Sequence, residues 1–351
     1  MRKLLFVLGL LLTQTLVTPA RAEVERPPQF IVLAFDGSFD LERWRDLTEF
    51  TAEMNKDADR VLFTFFLSAV GLITDANRNI YQGPRQRRGY SAINFGGSAQ
   101  DLQKRIDYLN TFNARGHEIA SHAVGHFNGA SWSAAEWTQE FTSFNDLIDK
   151  VGPNNGLGAE TKLSFTHERV VGLRAPYLAT GAGLYAALKA NHFRYDTSRI
   201  SYPDAWPVQT DGIWQFNLAQ LRIAGTRKAT LSMDYNFFMA QSGGRADPRR
   251  QELFGEQMLQ TYLDYFKTNY AGNRAPLHIG HHFTNFQGGI YNATLMRFAR
   301  TVCGLPEVRC TTYEKLADFM DRLSPETLAA YRKGDFAHAG VPDVKVAARV
   351  P

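Results

Sequence analysis

Cysteine is nearly absent from this chain, with only Cys303 and Cys310 among 351 residues. Neither has the spacing of a thiolate metal motif, so cysteine-based metal chemistry is excluded. In an oxidising compartment two cysteines this close can form a small ring, worth roughly 2–3 kcal/mol in the chain-entropy model; the other possibility is two free thiols. Long apolar runs are missing too. The stretch from Leu4 to Leu12 is broken by Thr13, Gln14 and Thr15, whereas a bilayer span needs about 20 apolar residues. Charge of one sign is not in large excess: 39 Lys and Arg stand against 35 Asp and Glu, a net +4. Arg85, Arg87 and Arg88 make only a short loop patch, read as a solvated face. Nucleic acid is therefore not an expected partner, because neutralising several phosphates takes a clustered basic surface. No internal repeat, low-complexity linker or clear domain boundary interrupts the chain.

What is present begins with Arg2 and Lys3, an apolar stretch and Ala20-Arg21-Ala22, the small-x-small pattern of a signal-peptidase site. Residues 1–22 read as a signal peptide, which implies a secreted or periplasmic protein with no stable membrane insertion after cleavage; an uncleaved anchor is the alternative. Removing Arg2, Lys3 and Arg21 with no acid would bring the net charge from +4 to +1. Beyond the leader, short apolar runs at 30–36, 61–70, 117–120, 170–174, 194–196, 213–217 and 277–281 read as strands. They alternate with helical periodicity at 41–55, 101–115, 134–151, 184–191, 252–271, 293–302 and 312–322. Such alternation predicts an α/β fold, either a (β/α) barrel or a doubly wound sheet. Acids and histidines fall at strand ends, which favours a distorted barrel of seven or so parallel strands with its chemistry on the C-terminal rim. Residues 23–335 are expected to form one catalytic domain, with 74–100 a long insertion and 336–351 a loosely packed tail.

The residues best suited to chemistry are His122 and His126. Four apart, they share a face if the segment is a helical turn, and can meet one cation. The strand-like Gly116-His117-Glu118-Ile119-Ala120-Ser121 feeds straight into the pair. With Phe35-Asp36, Arg174-Ala175-Pro176-Tyr177, Tyr195-Asp196-Thr197-Ser198 and Ile279-Gly280-His281 in the same order, the chain resembles the polysaccharide deacetylases with the NodB-homology domain. Ala34-Phe35-Asp36-Gly37-Ser38 and Gly280-His281-His282-Phe283 are similar to a less common branch that includes predatory-bacterium peptidoglycan deacetylases.

The resemblance implies hydrolysis of N-acetyl groups on a polymeric amino sugar, peptidoglycan first and a chitin-like polymer next. It also implies a divalent metal, zinc above others. Amide hydrolysis needs a polarised carbonyl, a base for the water and a proton for the leaving amine. Asp36 is the expected base, His281 the proton donor, Arg174 the residue holding the base, and the Tyr177 backbone N–H an oxyanion donor; Pro176 and His282 complete the substrate-binding set. The chain departs from the family at one position: most members have two aspartates after the Phe, whereas here Gly37 follows Asp36. Asp36 is thus either base or third metal ligand beside His122 and His126. Asp40 is the nearest other acid, and reads as a helix cap. A catalytically silent carbohydrate-binding protein of the same fold is the alternative function. Trp132, Trp137 and Trp206 offer faces for sugar rings or for packing.

Overall fold

Gln29–Asp36 is buried at all eight positions, as a strand covered on both faces must be. This strand, β1, is the centre of the fold. The computed structural model describes residues 24–58 and 60–348, so the expected leader and its cleavage site lie outside the described residues. The further strands are β2 (Phe63–Leu67), β3 (Glu118–Ser121), β4 (Gly172–Leu173), β5 (Tyr195–Asp196), β6 (Ile200–Ser201), β7 (Val208–Thr210), β8 (Ile213–Gln215), β9 (Leu218–Arg222), β10 (Ala229–Leu231), β11 (Leu277–His282) and β12 (Val308–Cys310). The helices are α1 (Leu41–Met54), α2 (Ala99–Ala114), α3 (Ala134–Asp149), α4 (Val151–Asn154), α5 (Ala182–Ala190), α6 (Asp234–Ser242), α7 (Gln251–Ala271), α8 (Ile290–Val302), α9 (Tyr313–Asp321) and α10 (Pro325–Lys333). No helix among the described residues is long and apolar enough to cross a membrane.

The main sheet runs β11-β1-β2-β3-β4-β5-β8-β7, and every pair from β11 to β8 is parallel. β7 returns antiparallel to β8, and β12 pairs with the start of β1. Beyond β11, Met233 bridges Gly280, and the Ser232 N–H reaches the Ala219 carbonyl, so the segment between the small β10-β9-β6 sheet and β11 continues the curl. The expected distorted α/β barrel is therefore the fold, with seven parallel strands from β11 to β8 and β12 added parallel to β1.

Pleating sorts the strand residues. Val32, Ala34, Phe66, Ala120, Tyr195, Phe216 and Tyr313 fill one cluster inside the curl. Ile31, Leu33, Phe35, Phe63 and Phe65 face outward onto Trp44, Phe50 and Phe112 of the helical layer. The start of α9 covers the lower end of the interior: Tyr313 N donates to Thr64 Oγ1 at 3.1 Å, and Glu314 N donates to the buried Glu118 at 3.0 Å.

Several sequence expectations find their place here. Asp40 caps α1, accepting the Glu42 and Arg43 N–H groups at 2.9 and 3.1 Å, and so is no base. Cys303 and Cys310 are bonded to each other. The helical turn expected for His122–His126 does not form: the segment is irregular, with left-handed φ at Ala123 (57°) and His126 (56°). The Ala123, Val124 and Gly125 N–H groups go to the side chains of Ser121 and Glu140 instead of to carbonyls four residues back. The tail is irregular over 336–348 and lies along α8, where Ala347 accepts from Arg297 Nε at 2.8 Å and donates to Thr301 Oγ1 at 3.1 Å.

Candidate active site

Asp36, the last residue of β1, projects to the same side as Val32 and Ala34 and ends that inward row with a buried carboxylate. Its Oδ1 accepts from Arg174 Nη1 at 2.6 Å, and both side chains are almost fully buried. Arg174 is itself fixed: Nε donates to Thr197 Oγ1 at 2.9 Å, Nη2 lies 3.4 Å from Tyr313 Oη, and the guanidinium sits over the Phe66 ring. Gly280 makes room for it, since a Cβ there would come within 3.0 Å of Arg174 Nη1. Burial disfavours the Asp36 anion, but the Arg174 guanidinium above all outweighs it and holds the pKa below its usual value.

The partner across β11 is His282. Parallel pairing sets Asp36 opposite His282 and Phe35 opposite His281. Neighbours in register share a face, so His282 joins Asp36, with Nε2 4.0 Å from Oδ2. His281 points outward with Phe35, where Tyr262 Oη and Asn292 Oδ1 lie 3.1 and 3.4 Å from its ring nitrogens. The place beside Asp36 is thus taken by His282 and not by His281; the strand simply continues through residue 282, and pleat parity decides. Asp234, the first residue of α6, orients His282 by accepting from its Nδ1 at 2.6 Å and its backbone N–H at 2.9 Å. Burial lowers the His282 pKa, yet Asp234 and Asp36 together raise it above the usual value.

His122 and His126 face this carboxylate from the loop after β3, their ring centroids 5.0 Å apart. His122 Nδ1 lies 2.6 Å from the Arg174 carbonyl and so carries the proton, which leaves Nε2 with a lone pair. Burial drives its pKa down to about 3 and lowers that of His126, so both rings are neutral, the form that binds cations. His126 Nδ1 is buried without a hydrogen-bond partner. These donors suit a divalent cation at two positions. Among the described residues no three His, Cys, Asp or Glu side chains gather as a metal site, and Asp36 is committed to Arg174. Gly37 has φ +84°, a conformation that glycine adopts without steric penalty and a carboxylate-bearing residue does not.

The conformation of the histidine loop comes from α3. Glu140 is fully buried, accepts the Val124 and Gly125 N–H groups at 3.0 and 3.1 Å, and receives Tyr81 Oη at 3.0 and 2.9 Å. Tyr81 belongs to the 74–100 insertion, and Ala92 N donates to the Gly125 carbonyl at 2.9 Å, so the insertion braces the histidine loop. Glu140→Ala is expected to weaken divalent-metal binding about 10- to 100-fold, the range for groups that orient metal ligands, with Glu140→Gln intermediate. Titration calorimetry checks this, and unchanged affinity in a folded Glu140→Ala protein would refute the bracing.

Pro176 opens the turn after β4 and is buried; Tyr177 beside it has φ 59°, is 62% exposed and packs its ring on His126 at 4.9 Å. Tyr235 supplies the opposite wall, its ring 6.2 Å from that of His282. Trp132, Trp137 and Trp206 are all buried, which assigns them to packing. Asp234 and Tyr235 escaped sequence reading because α6 buries Asp234, Phe237, Phe238 and Gln241. The spacing is helical, but two of those four are polar and hide the apolar stripe.

No family model matches the chain. In sequence it is similar to chitin deacetylase 1 of Bombyx mori, 27% identical over 192 residues, or 48% of this chain and 33% of that protein. The chain thus spans about a third of the length of the curated relative it matches. In fold it is similar to a Mycobacterium smegmatis protein assigned to the polysaccharide deacetylases, with a TM-score of 0.50, 15% identity, and coverage of 88% of this chain and 96% of that one. The fold is that of the polysaccharide deacetylases, and the resemblance first carried by five short motifs extends to both sequence and architecture.

Proposed function

We propose that this chain, with the fold of the polysaccharide deacetylases, is an exported metal-dependent deacetylase that hydrolyses N-acetyl groups on a polymeric amino sugar. Peptidoglycan is the first substrate, on the likeness to the branch with predatory-bacterium enzymes, and a chitin-like polymer the second. The observation that carries the reading is one carboxylate, Asp36, held ionised by Arg174 and set between a neutral histidine pair and a histidine oriented by Asp234.

In this reading Asp36 takes a proton from the water that attacks the acetamide carbon. Arg174 keeps the carboxylate in place and ionised, and the Tyr177 N–H binds the oxygen as it gains negative charge. The C–N bond then breaks, and His282, whose imidazolium form Asp234 and Asp36 favour, gives its proton to the departing amine. Acetate and the free amino sugar leave, and the proton on Asp36 passes back to His282 through solvent. A divalent cation at His122 and His126, zinc before others, would polarise the acetamide carbonyl and lower the pKa of a bound water to about 7. Asp36 fits the base better than the third ligand, because Oδ1 belongs to Arg174 and Oδ2 faces His282.

The two-histidine set is smaller than the three protein ligands of typical catalytic zinc sites, which favours, as a second reading, a silent carbohydrate-binding protein of the same fold. Metal analysis of the purified protein, together with acetate release from N-acetylglucosamine oligomers and from peptidoglycan, separates the two. The enzyme reading expects metal near one equivalent, lost in His126→Ala, and acetate from at least one substrate. Substoichiometric metal and no acetate from either would overturn it.

A further inference from the structure

Among the described residues, Lys228, Arg245, Arg249 and Arg250 line an open hollow of about 750 Å³ together with one acid, Asp247, which lies 3.6 Å from Arg250 Nε. In a chain whose net charge is only +4 over 351 residues, this concentration is local. Arg245 and Arg249 are exposed, so their guanidinium groups are accessible. The other two cations are anchored and give the hollow a fixed wall: Lys228 Nζ donates to the Ala240 carbonyl at 2.6 Å, while Arg250 donates to the Gln241 carbonyl at 3.2 Å and sits over the Phe254 ring.

The hollow is tied to the site described above by two connections. α6 starts at Asp234, which holds His282, and ends at Ser242, which lines the hollow; its nine residues span about 14 Å. The loop 243–250 and the start of α7 are also bonded to the segment that follows β11: Asp247 N donates to Gln287 Oε1 at 2.8 Å, and Gln251 Nε2 donates to the Gly288 carbonyl at 3.4 Å. The cationic wall thus stands one short helix away from the residue that holds His282.

We infer that this hollow is a subsite for the carboxylates of a substituted amino-sugar polymer, such as the peptides of peptidoglycan, and that it selects such a polymer over an uncharged one. The inference rests on the deacetylase reading and deepens it. Guanidinium groups match carboxylates in a two-bond geometry. A neutral polymer can offer these cations only hydroxyl and carbonyl oxygens, whereas one with a carboxylate on each substituent offers charge-assisted bonds, above all to Arg245 and Arg249, at every repeat that reaches the hollow.

The test uses full-length Arg245→Gln/Arg249→Gln protein, whose changes lie on the surface and leave the core intact. Binding to insoluble peptidoglycan and to chitin is measured by co-sedimentation, beside KM and kcat on soluble peptidoglycan fragments and on N-acetylglucosamine oligomers. The expected result is about five- to tenfold weaker binding and higher KM on the carboxylate-bearing material, the order of two partly exposed ion pairs. The wild-type preference should shrink as salt rises, while kcat and every value on neutral oligomers stay unchanged. Equal effects on both polymers, or none on peptidoglycan, overturn the inference, as does wild-type binding to anionic lipid vesicles that exceeds binding to peptidoglycan. If neither polymer releases acetate, the deacetylase reading fails, and the sedimentation arm still decides the subsite.

Discussion

Asp36→Asn is expected to lower acetate release by about 10²- to 10⁴-fold, the range for loss of a positioned base, while metal content stays at the wild-type level. The two halves of that result belong together. A ligand at this position would take the metal with it, whereas a base would not. The Arg174 contact at 2.6 Å and the fixed guanidinium argue for the base. Asn preserves the shape and one oxygen facing Arg174, but removes the negative charge from a fully buried cation. Truncation to Ala is harsher: breaking a buried pair costs about 3–5 kcal/mol, so Asp36→Ala should lower the melting temperature markedly. The pH dependence has a definite sign. Because the folded pKa of Asp36 is depressed, its contribution to stability is present above the unfolded value of about 3.9 and is lost as pH falls through the lower folded value. The gap in stability between wild type and Asp36→Ala should therefore close only in strong acid. Turnover within threefold of wild type in a metal-loaded Asp36→Asn protein would remove Asp36 from the base role, and loss of metal would make it the third ligand.

Much of this architecture is legible in the residues themselves, and the reason is burial. β1 is apolar through residue 35 and ends on Asp36, so both its place at the sheet centre and the acid at its tip follow from one run of letters. Strand ends were harder where two histidines stand together. Gly280-His281-His282 gives no hint of which ring faces inward until the register against β1 is known, because a shift of one residue exchanges the faces. The histidine pair is legible through a helical spacing that the fold does not use: its rings meet across an irregular loop held by Glu140, and no local periodicity encodes an acid that binds Val124 and Gly125 from 16 and 15 residues further along. Asp234 was missed because a buried polar residue opening a helix looks, in sequence, like a break in an apolar pattern. The features that sequence left hidden are those in which a polar group is buried to orient another group.

His282→Gln and His281→Gln should separate completely. The former is expected to lower hydrolysis of the acetamide by about 10²- to 10⁴-fold, and to spare hydrolysis of an aryl acetate, whose leaving group departs without a proton. The latter should keep turnover within about threefold but lose roughly 1–3 kcal/mol of stability, since Tyr262 and Asn292 are left with a poorer buried partner. Asp234→Asn gives a second readout, taken beside His281→Gln because Asp234 Oδ2 also lies 3.8 Å from His281 Nδ1. With the carboxylate gone, the largest force raising the His282 pKa is removed, so the alkaline limb of the rate profile should move to lower pH. The stability contribution of the pair runs the same way: it is full below the unfolded histidine pKa of about 6.5 and is lost as pH rises through the raised folded value. A wild-type and an Asp234→Asn enzyme with superimposable alkaline limbs would show that His282 is not the group being titrated. An intact amidase rate in His282→Gln with a dead His281→Gln would mean that the outward face of β11, and not the face it shares with Asp36, supplies the proton.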